Sequence, residues 1–250
     1  MSRVFLHGAV ALLLTALTQL GGLAWLAALR QRRRGRFWAA FLLGYALLWG
    51  VAQLAAPPLG RVPLPCSGAP LRMQSAFYCA TMRNFVSPGL REVALEAAAR
   101  VAREHPGTVT LALDGNFPFL ARFPMVPHLS HGDGDKLDLA LFYAEDGTYA
   151  PGRTASPIGY FAFERAGPET CPPAFPTFRW EMRWLEPVLA DLELDPWRTA
   201  ALARALLADP RVGKLFLEPP LAARLGVAGE KLRFQGCRAA RHDDHIHVQL

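Results

Sequence analysis

The first sixty residues restrict this chain more than anything that follows them. From Val4 to Leu29 there is no Asp, Glu, Lys or Arg, and from Phe37 to Gly60 there is again none. A helix needs about 20 apolar residues to cross roughly 30 Å of hydrocarbon, and each stretch exceeds that length. Neither has the polar stripe of a helix lying on a soluble core; only scattered Thr, Gln and Gly interrupt them. The segment between them, RQRRRGR from Arg30 to Arg36, holds five arginines, against the single Arg3 near the N-terminus. Short Arg-rich loops stay on the cytoplasmic side of a membrane. The expectation is a two-helix transmembrane hairpin over residues 1–57, with spans at about 4–29 and 37–56, a cytoplasmic loop at 30–36 and both termini outside. A cleaved signal peptide fits poorly, because the apolar run is too long and a second one follows at once.

The same arginines supply most of the formal charge of +6. The remainder is near neutral, so the charge gives no argument for a nucleic-acid partner, and a short loop between two spans has little reach toward one. The lipid bilayer is the partner this region expects. Four cysteines, Cys66, Cys79, Cys171 and Cys237, all follow the second apolar stretch. Outside the cytoplasm an even number points to two disulfides. Three pairings are open, and the local Cys66–Cys79 with Cys171–Cys237 is the expected one. No C-x-x-C pair occurs, which speaks against a zinc knuckle or a redox motif.

Residues 58–70 lie in a Pro/Gly-rich run, APPLGRVPLPCSGAP, and read as a linker to a globular unit over 71–250. Ser87 as a cap, Pro88 at the first helical position and a stop at Pro106-Gly107 delimit a helix. TVTLALDGNF is β-rich, and KLDLALFYAEDGTYA reads as a strand turning at Asp146-Gly147 into a hairpin. Amphipathic helices are expected around Thr177–Leu192 and Pro196–Ala208, with short strands at GKLFLEP, KLRFQG and the C-terminus. Helices and strands mix without regular βαβ alternation, which favours an α+β fold.

The chemistry concentrates in two places. The ending HDDHIHVQL, His242 to Leu250, holds three of the seven histidines. As a strand it puts Ile246, Val248 and Leu250 on one face and His245, His247 and Gln249 on the other. Upstream, in SHGDGDKLDLALFY, His131 occupies a Gly/Asp loop and Asp138 a strand among apolar neighbours. An unpaired carboxylate there costs on the order of several kcal/mol, and a cation would meet it. His131, Asp138 and one tail histidine supply two nitrogens and one oxygen, a set that leaves a zinc position open for water. Zinc so held lowers the pKa of its water and polarises a carbonyl, which is the chemistry of amide hydrolysis. Spacing alone does not choose between His245 and His247 as the third ligand. His128, behind Pro127, reads as a loop residue rather than a ligand. Calcium at Asp133 and Asp135 is disfavoured by Leu137, which breaks the alternation of ligands. The reading without metal pairs Asp138 with Arg238 or Arg241.

SHGDGDKLD resembles the S-H-x-x-G-x-x-x-D element, and HDDHIHV the His-x-x-His-x-His element, of the zinc peptidases grouped as lysostaphin, D-Ala-D-Ala metallopeptidases and hedgehog. The nearest likeness is to penicillin-insensitive murein endopeptidases, with Ile246 where these have an aromatic residue. The resemblance implies a small antiparallel sheet flanked by helices, with one zinc ion in a cleft held by His131, Asp138 and His247. It implies that His245 is the general base or stabilises the tetrahedral intermediate, and that His242 has a second catalytic role. The implied substrate is an amide bond in peptidoglycan stem peptides or cross-links. The implied location is the bacterial inner membrane, with the enzymatic domain periplasmic or extracytoplasmic. The Glu–Trp pair that D-Ala-D-Ala carboxypeptidases place before their last His is missing, with Asp244 in the analogous region. A D,D-carboxypeptidase or dipeptidase stays open, as does a non-catalytic, zinc-containing binding module of the hedgehog kind. RFPMVPHLS and FPTFRWEMRW offer aromatics and arginines for a cleft.

Overall fold

The N-terminal region folds differently from two uninterrupted spans. In the computed structural model, which describes residues 3–31, 33–126, 128, 130–159, 164, 167, 171–179 and 183–250, the first apolar stretch is two helices. Helix α1 (Arg3–Thr18) stops at Gln19, whose φ of 64° is left-handed, and α2 (Gly21–Ala28) turns back along it. The turn is possible because Gly21 and Gly22 follow it. A Cβ on Gly22 would lie 2.5 Å from the Ala11 carbonyl oxygen, so only glycine lets the two backbones approach this closely. Trp25 on α2 then packs between His7 on α1 (ring centroids 6.0 Å apart) and, edge to face, Phe37 (4.8 Å) and Phe41 (5.4 Å) of helix α3, Arg34–Ala55. The start of α1 therefore lies at the Arg-rich end of α3, not at the end that bears the domain. Of the described helices, α3 alone is long and apolar enough to cross a membrane. Arg32, within the Arg-rich loop, lies outside the described residues.

The expected linker is built into the fold. After a 3-10 turn at Pro57–Leu59, β1 (Val62–Pro63) pairs antiparallel with β3 (Phe85–Val86), and Leu64 is buried beside them. Between these come β2 (Leu71–Met73) and α4 (Ala76–Ala80), the latter tied back by a disulfide from Cys66 to Cys79. Cys171–Cys237 is the second disulfide, so both pairings match expectation.

Helix α5 (Pro88–Glu104) starts at Ser87, whose hydroxyl accepts from the Leu90 N–H at 3.3 Å. Strands β4 (Thr110–Ala112) and β5 (Lys136–Ala140) follow, then a hairpin of β6 (Tyr143–Glu145) and β7 (Thr148–Tyr149). Its turn is Asp146-Gly147, both at positive φ, as the sequence predicts. Next are β8 (Glu193–Leu194), α6 (Pro196–Ala208), β9 (Lys214–Phe216), α7 (Pro219–Leu225), β10 (Leu232–Arg233) and β11 (His245–Gln249). The helix expected at Thr177–Leu192 is reduced to a 3-10 segment, Arg183–Val188, with Pro187 inside it; residues 180–182 lie outside the described ones.

Six strands form the main sheet in the order β10-β9-β11-β5-β4-β2. It is mixed rather than purely antiparallel: β11 runs antiparallel to both neighbours and β4 to β5, while the outer pairs β9/β10 and β2/β4 are parallel. The α+β class stands; the all-antiparallel sheet does not. Leu137 and Leu139 of β5, with Ile246 and Val248 of β11, are fully buried in one apolar core with Leu90, Val93 and Val101 of α5 and Leu202 and Leu206 of α6. The alternation of these strands sends every second side chain to the opposite face, and there the titratable residues collect.

The α1–α2 contact gives a direct test. Gly22→Ala should lower the stability of the detergent-solubilised chain by about 1–3 kcal/mol, because behind the Thr15 hydroxyl the Ala11 carbonyl also obstructs the new Cβ, and that group is backbone and does not rotate away. Thermal unfolding of the variant beside Gly8→Ala, where no atom lies within 4 Å of the new Cβ, is the measurement.

Candidate metal centre

Register decides the site. In the β5–β11 ladder His247 stands directly opposite Asp138, Ile246 opposite Leu139 and Val248 opposite Leu137. Directly opposed residues share a face, so burying the aliphatic pairs forces the imidazole and the carboxylate together on the other side. His247 Nδ1 lies 2.6 Å from Asp138 Oδ1. His131 arrives from the loop before β5, with Nε2 3.1 Å from His247 Nδ1 and 3.4 Å from Asp138 Oδ1. The structure thus brings His131 and Asp138 together with His247, more than a hundred positions further along the chain.

His128, read from the sequence as a loop residue, is also here. Its Nδ1 pairs with Asp138 Oδ2, and its Nε2 lies 3.5 Å from Asp114 Oδ2 and 3.1 Å from the Ile158 carbonyl. His128, His131 and Asp138 offer ligand atoms all within 4.8 Å of one another, a group that can hold a metal ion. Its location behind a proline concealed it; only the tertiary fold turns that loop inward.

His245 lies beside this group, its Nε2 3.7 Å from Asp138 Oδ1. Its Nδ1 donates to Asp244 Oδ1 at 2.6 Å, and the Ser156 hydroxyl donates to Asp244 Oδ2 at 2.7 Å. The ring is thereby held with Nε2 toward the cluster. His242 packs against both tail imidazoles, with ring centroids 5.0 Å from His245 and 5.5 Å from His247. All five histidines and Asp138 are buried. Pro157 to Gly159 run over them: a Cβ on Gly159, at φ +68°, would sit 3.1 Å from His245 Nδ1 and 3.5 Å from His128 Cε1.

The sequence TVTLALDGNF supplies the scaffold under His131. The Gly115 carbonyl accepts from His131 Nδ1 at 2.8 Å, which leaves the Nε2 lone pair facing Asp138 and His247. A Cβ on Gly115 would be 2.8 Å from the Phe85 carbonyl, so the residue must be glycine. Asn116 pins the loop at both ends, accepting from the Gly134 N–H at 3.0 Å and donating to the Lys136 carbonyl at 3.0 Å. Asp114 takes a bidentate bond from buried Arg83, with Nε 2.6 Å from Oδ1. Gln249 Nε2 lies 3.0 Å from His247 Nε2 and fixes that ring from its far side. These supports were not anticipated, although a D-G-N turn after a β-rich run was a signal available for them.

Electrostatics shows why such a cluster calls for positive charge. Burial pushes the Asp138 carboxyl up, but the surrounding His131, His128, His245 and His247 hold it well below the carboxylate range. Burial pushes His128 and His131 down, and the Asp138 charge more than reverses this, so both are raised. His245 is raised in the same way, against burial, by Asp138 and then Asp244. Burial outweighs Asp138 at His247, which falls to about 4, and with the neighbouring imidazoles it drives His242 well below its ordinary value. The fully buried Asp138 therefore sits among donor nitrogens that either take up protons or share a cation. Imidazole nitrogens and one carboxylate oxygen suit a borderline divalent ion, so the residues fit a metal. Of the two alternative partners, Arg238 and Arg241, the latter pairs with Asp243, Nε to Oδ1 at 3.0 Å. Of the aromatic and basic segments expected to line a cleft, Arg179 is bonded to Glu218 at 3.1 and 3.0 Å, while Pro127, Leu129 and 180–182 lie outside the described residues.

Two outcomes are expected of the full chain. Metal analysis should find one divalent ion per chain, lost in His131→Ala and in Asp138→Ala. Because His128 and His131 hold protons above the ordinary imidazole range, binding must expel them. Affinity measured by calorimetry should therefore fall steadily as pH drops from 8 to 6, with protons released on binding. No family model matches the chain, and no curated protein matches it, so the reading of function rests on the residues themselves.

Proposed function

We propose that this chain is a membrane-anchored zinc metallopeptidase that hydrolyses an amide bond in peptidoglycan stem peptides or their cross-links. The observation supporting it most is the convergence of His131, Asp138 and His247 beside a His245 that is oriented by its own carboxylate. His131 Nε2, His247 Nδ1 and an Asp138 oxygen are the proposed ligands, with His128 as a neighbour on the second carboxylate oxygen. Bound there, zinc would polarise the scissile carbonyl and acidify a water molecule.

The protein's own groups do the rest. His245 Nε2 takes the proton from the attacking water and returns it to the departing amine, as a general base and then acid. Asp244 fixes the tautomer and offsets the imidazolium charge that forms, and Ser156 holds Asp244. His242, neutral and against His245, has a buried Nδ1 without a hydrogen-bond partner among the described residues, which would be free to bond the substrate. The choice of peptidoglycan rests on the motif resemblance. Helix α3 is the proposed anchor, with its arginines cytoplasmic and the domain outside, where both disulfides are stable. With α1 folded as it is, the N-terminus then shares the cytoplasmic side.

Purified muropeptides incubated with the full chain in detergent should yield new amines, and a chelator should stop their release. His245→Ala should keep its metal and lose at least 10²-fold in rate; loss of the metal as well would refute the ligand assignment. Asp244→Asn should cost about 10–100-fold with the metal retained. A wild-type chain that binds metal but cleaves no linear or cross-linked stem peptide would instead indicate the binding module.

A further inference from the structure

The depth at which the domain grips α3 identifies a second surface. At 1.5 Å per residue the 22 residues of α3 span about 33 Å, close to the thickness of a bilayer's hydrocarbon. Leu42, Leu43, Leu47, Val51 and Leu54 remain exposed along it, Leu54 in the last turn at 81 %. An uncovered apolar row of that length needs hydrocarbon up to the level of Leu54. Yet the domain is attached well below that level. The Tyr45 hydroxyl donates to the Ala80 carbonyl at 2.6 Å, and Trp49 Nε1 donates to the Cys79 carbonyl at 2.8 Å. Across the hairpin, Gln19 Oε1 accepts from the Phe119 N–H at 3.1 Å. Tyr45 precedes Leu54 by nine residues, about 14 Å along the axis.

The domain segments held at that depth expose large apolar side chains beside their attachment points. Phe77, on the same short helix as Cys79 and Ala80, is 50 % exposed, and Leu120, next to Phe119, is 62 % exposed. Arg122, exposed two residues further on, is suited to phosphate headgroups. These side chains adjoin segments that meet the apolar flank of α3, where Ala80 lines one hollow with Leu42, Tyr45, Ala46 and Trp49, and this matches a lipid leaflet rather than a protein partner.

We propose that the domain is wedged into the leaflet beside α3 on Phe77 and Leu120, so that the metal centre receives substrate borne by the membrane. The wedge is joined to the centre by short links. The chain runs from Leu120 to His128 and His131, and the Val126 carbonyl accepts from Arg83 Nη1 at 3.0 Å. Arg83 holds Asp114, which faces His128. The placement in the leaflet rests on α3 crossing the membrane, and the substrate class rests on the metallopeptidase reading.

Nitroxide accessibility tests the wedge without any need for activity. All four native cysteines are in disulfides, so the full chain carrying Phe77→Cys, Leu120→Cys or Glu230→Cys labels at one position. Glu230 is exposed at the opposite edge of the sheet, before β10. In phosphatidylethanolamine–phosphatidylglycerol vesicles, labels at 77 and 120 should collide several-fold more with oxygen than with a water-soluble nickel chelate, and the label at 230 should do the reverse. Labels at 77 and 120 as open to nickel as the one at 230 would overturn the wedge. In a second arm, Phe77→Asp with Leu120→Asp should slow cleavage of a lipid-linked stem peptide in vesicles at least tenfold and leave a soluble muropeptide unaffected. Equal rates on the two substrates would overturn the substrate class. Inactivity of the wild type on both would overturn it together with the peptidase reading, while the label accessibilities would still decide the wedge.

Discussion

The pairing of β5 with β11 is the constraint on which the rest of the molecule depends. One side of that ladder is Leu137, Leu139, Ile246 and Val248, buried against α5 and α6. The other side is Asp138 with His245 and His247. A slip of one residue would turn the imidazoles into the aliphatic core and the aliphatics into the polar layer, so the hydrophobic requirement fixes the chemical one. The carboxylate is then fully buried, and its charge must be met locally. Everything around it, from the raised proton affinity of His128 and His131 to the fit of a divalent ion, follows from that confinement.

Around this ladder the groups are graded in their readiness to bind. His247 is already neutral and held from behind by Gln249, while His131 has its far nitrogen committed to the Gly115 carbonyl. Each therefore presents a single defined nitrogen. His245 differs because its far nitrogen meets a carboxylate, Asp244, which adds to the larger effect of Asp138 in raising its basicity while it orients the ring. That difference separates proposed ligands from proposed base more sharply than distance to Asp138 does. The same logic extends toward the hairpin. Met82, beside Arg83, lies in a small apolar cluster with Ala52, Ala56 and Phe85, against which Leu20, Tyr45, Trp49 and Phe119 pack. The N-terminal helices and the start of the loop that leads to His128 and His131 thus share one packing unit.

Elements whose signals are local were legible beforehand. Ser87-Pro88 started α5 and Asp195-Pro196 started α6, because caps and first-turn prolines act within one turn of helix. Asp146-Gly147 made its hairpin for the same reason. The cysteine pairing followed sequence proximity, which limits the loop to be closed. The failures are equally instructive. The stretch 4–29 looked like one span because hydropathy does not register that Gly21-Gly22 lets a helix turn back against its predecessor. The region 177–192 looked helical because its apolar spacing is sound, yet a proline sits within it.

An inventory could be read from the chain in advance: an apolar N-terminal region with an arginine cluster, an α+β unit, two disulfides, imidazoles on one face of a terminal strand, and Asp138 within an apolar strand. Each of these depends on residues close together or on the two-residue period of a strand. Long-range packing was needed to set β11 against β5, to bring His128 into the cluster, to put Asp244 and Ser156 behind His245, and to fasten the domain at the level of Tyr45. Those facts depend on side chains meeting across dozens of residues, and no periodicity in the chain encodes which loop will fold inward.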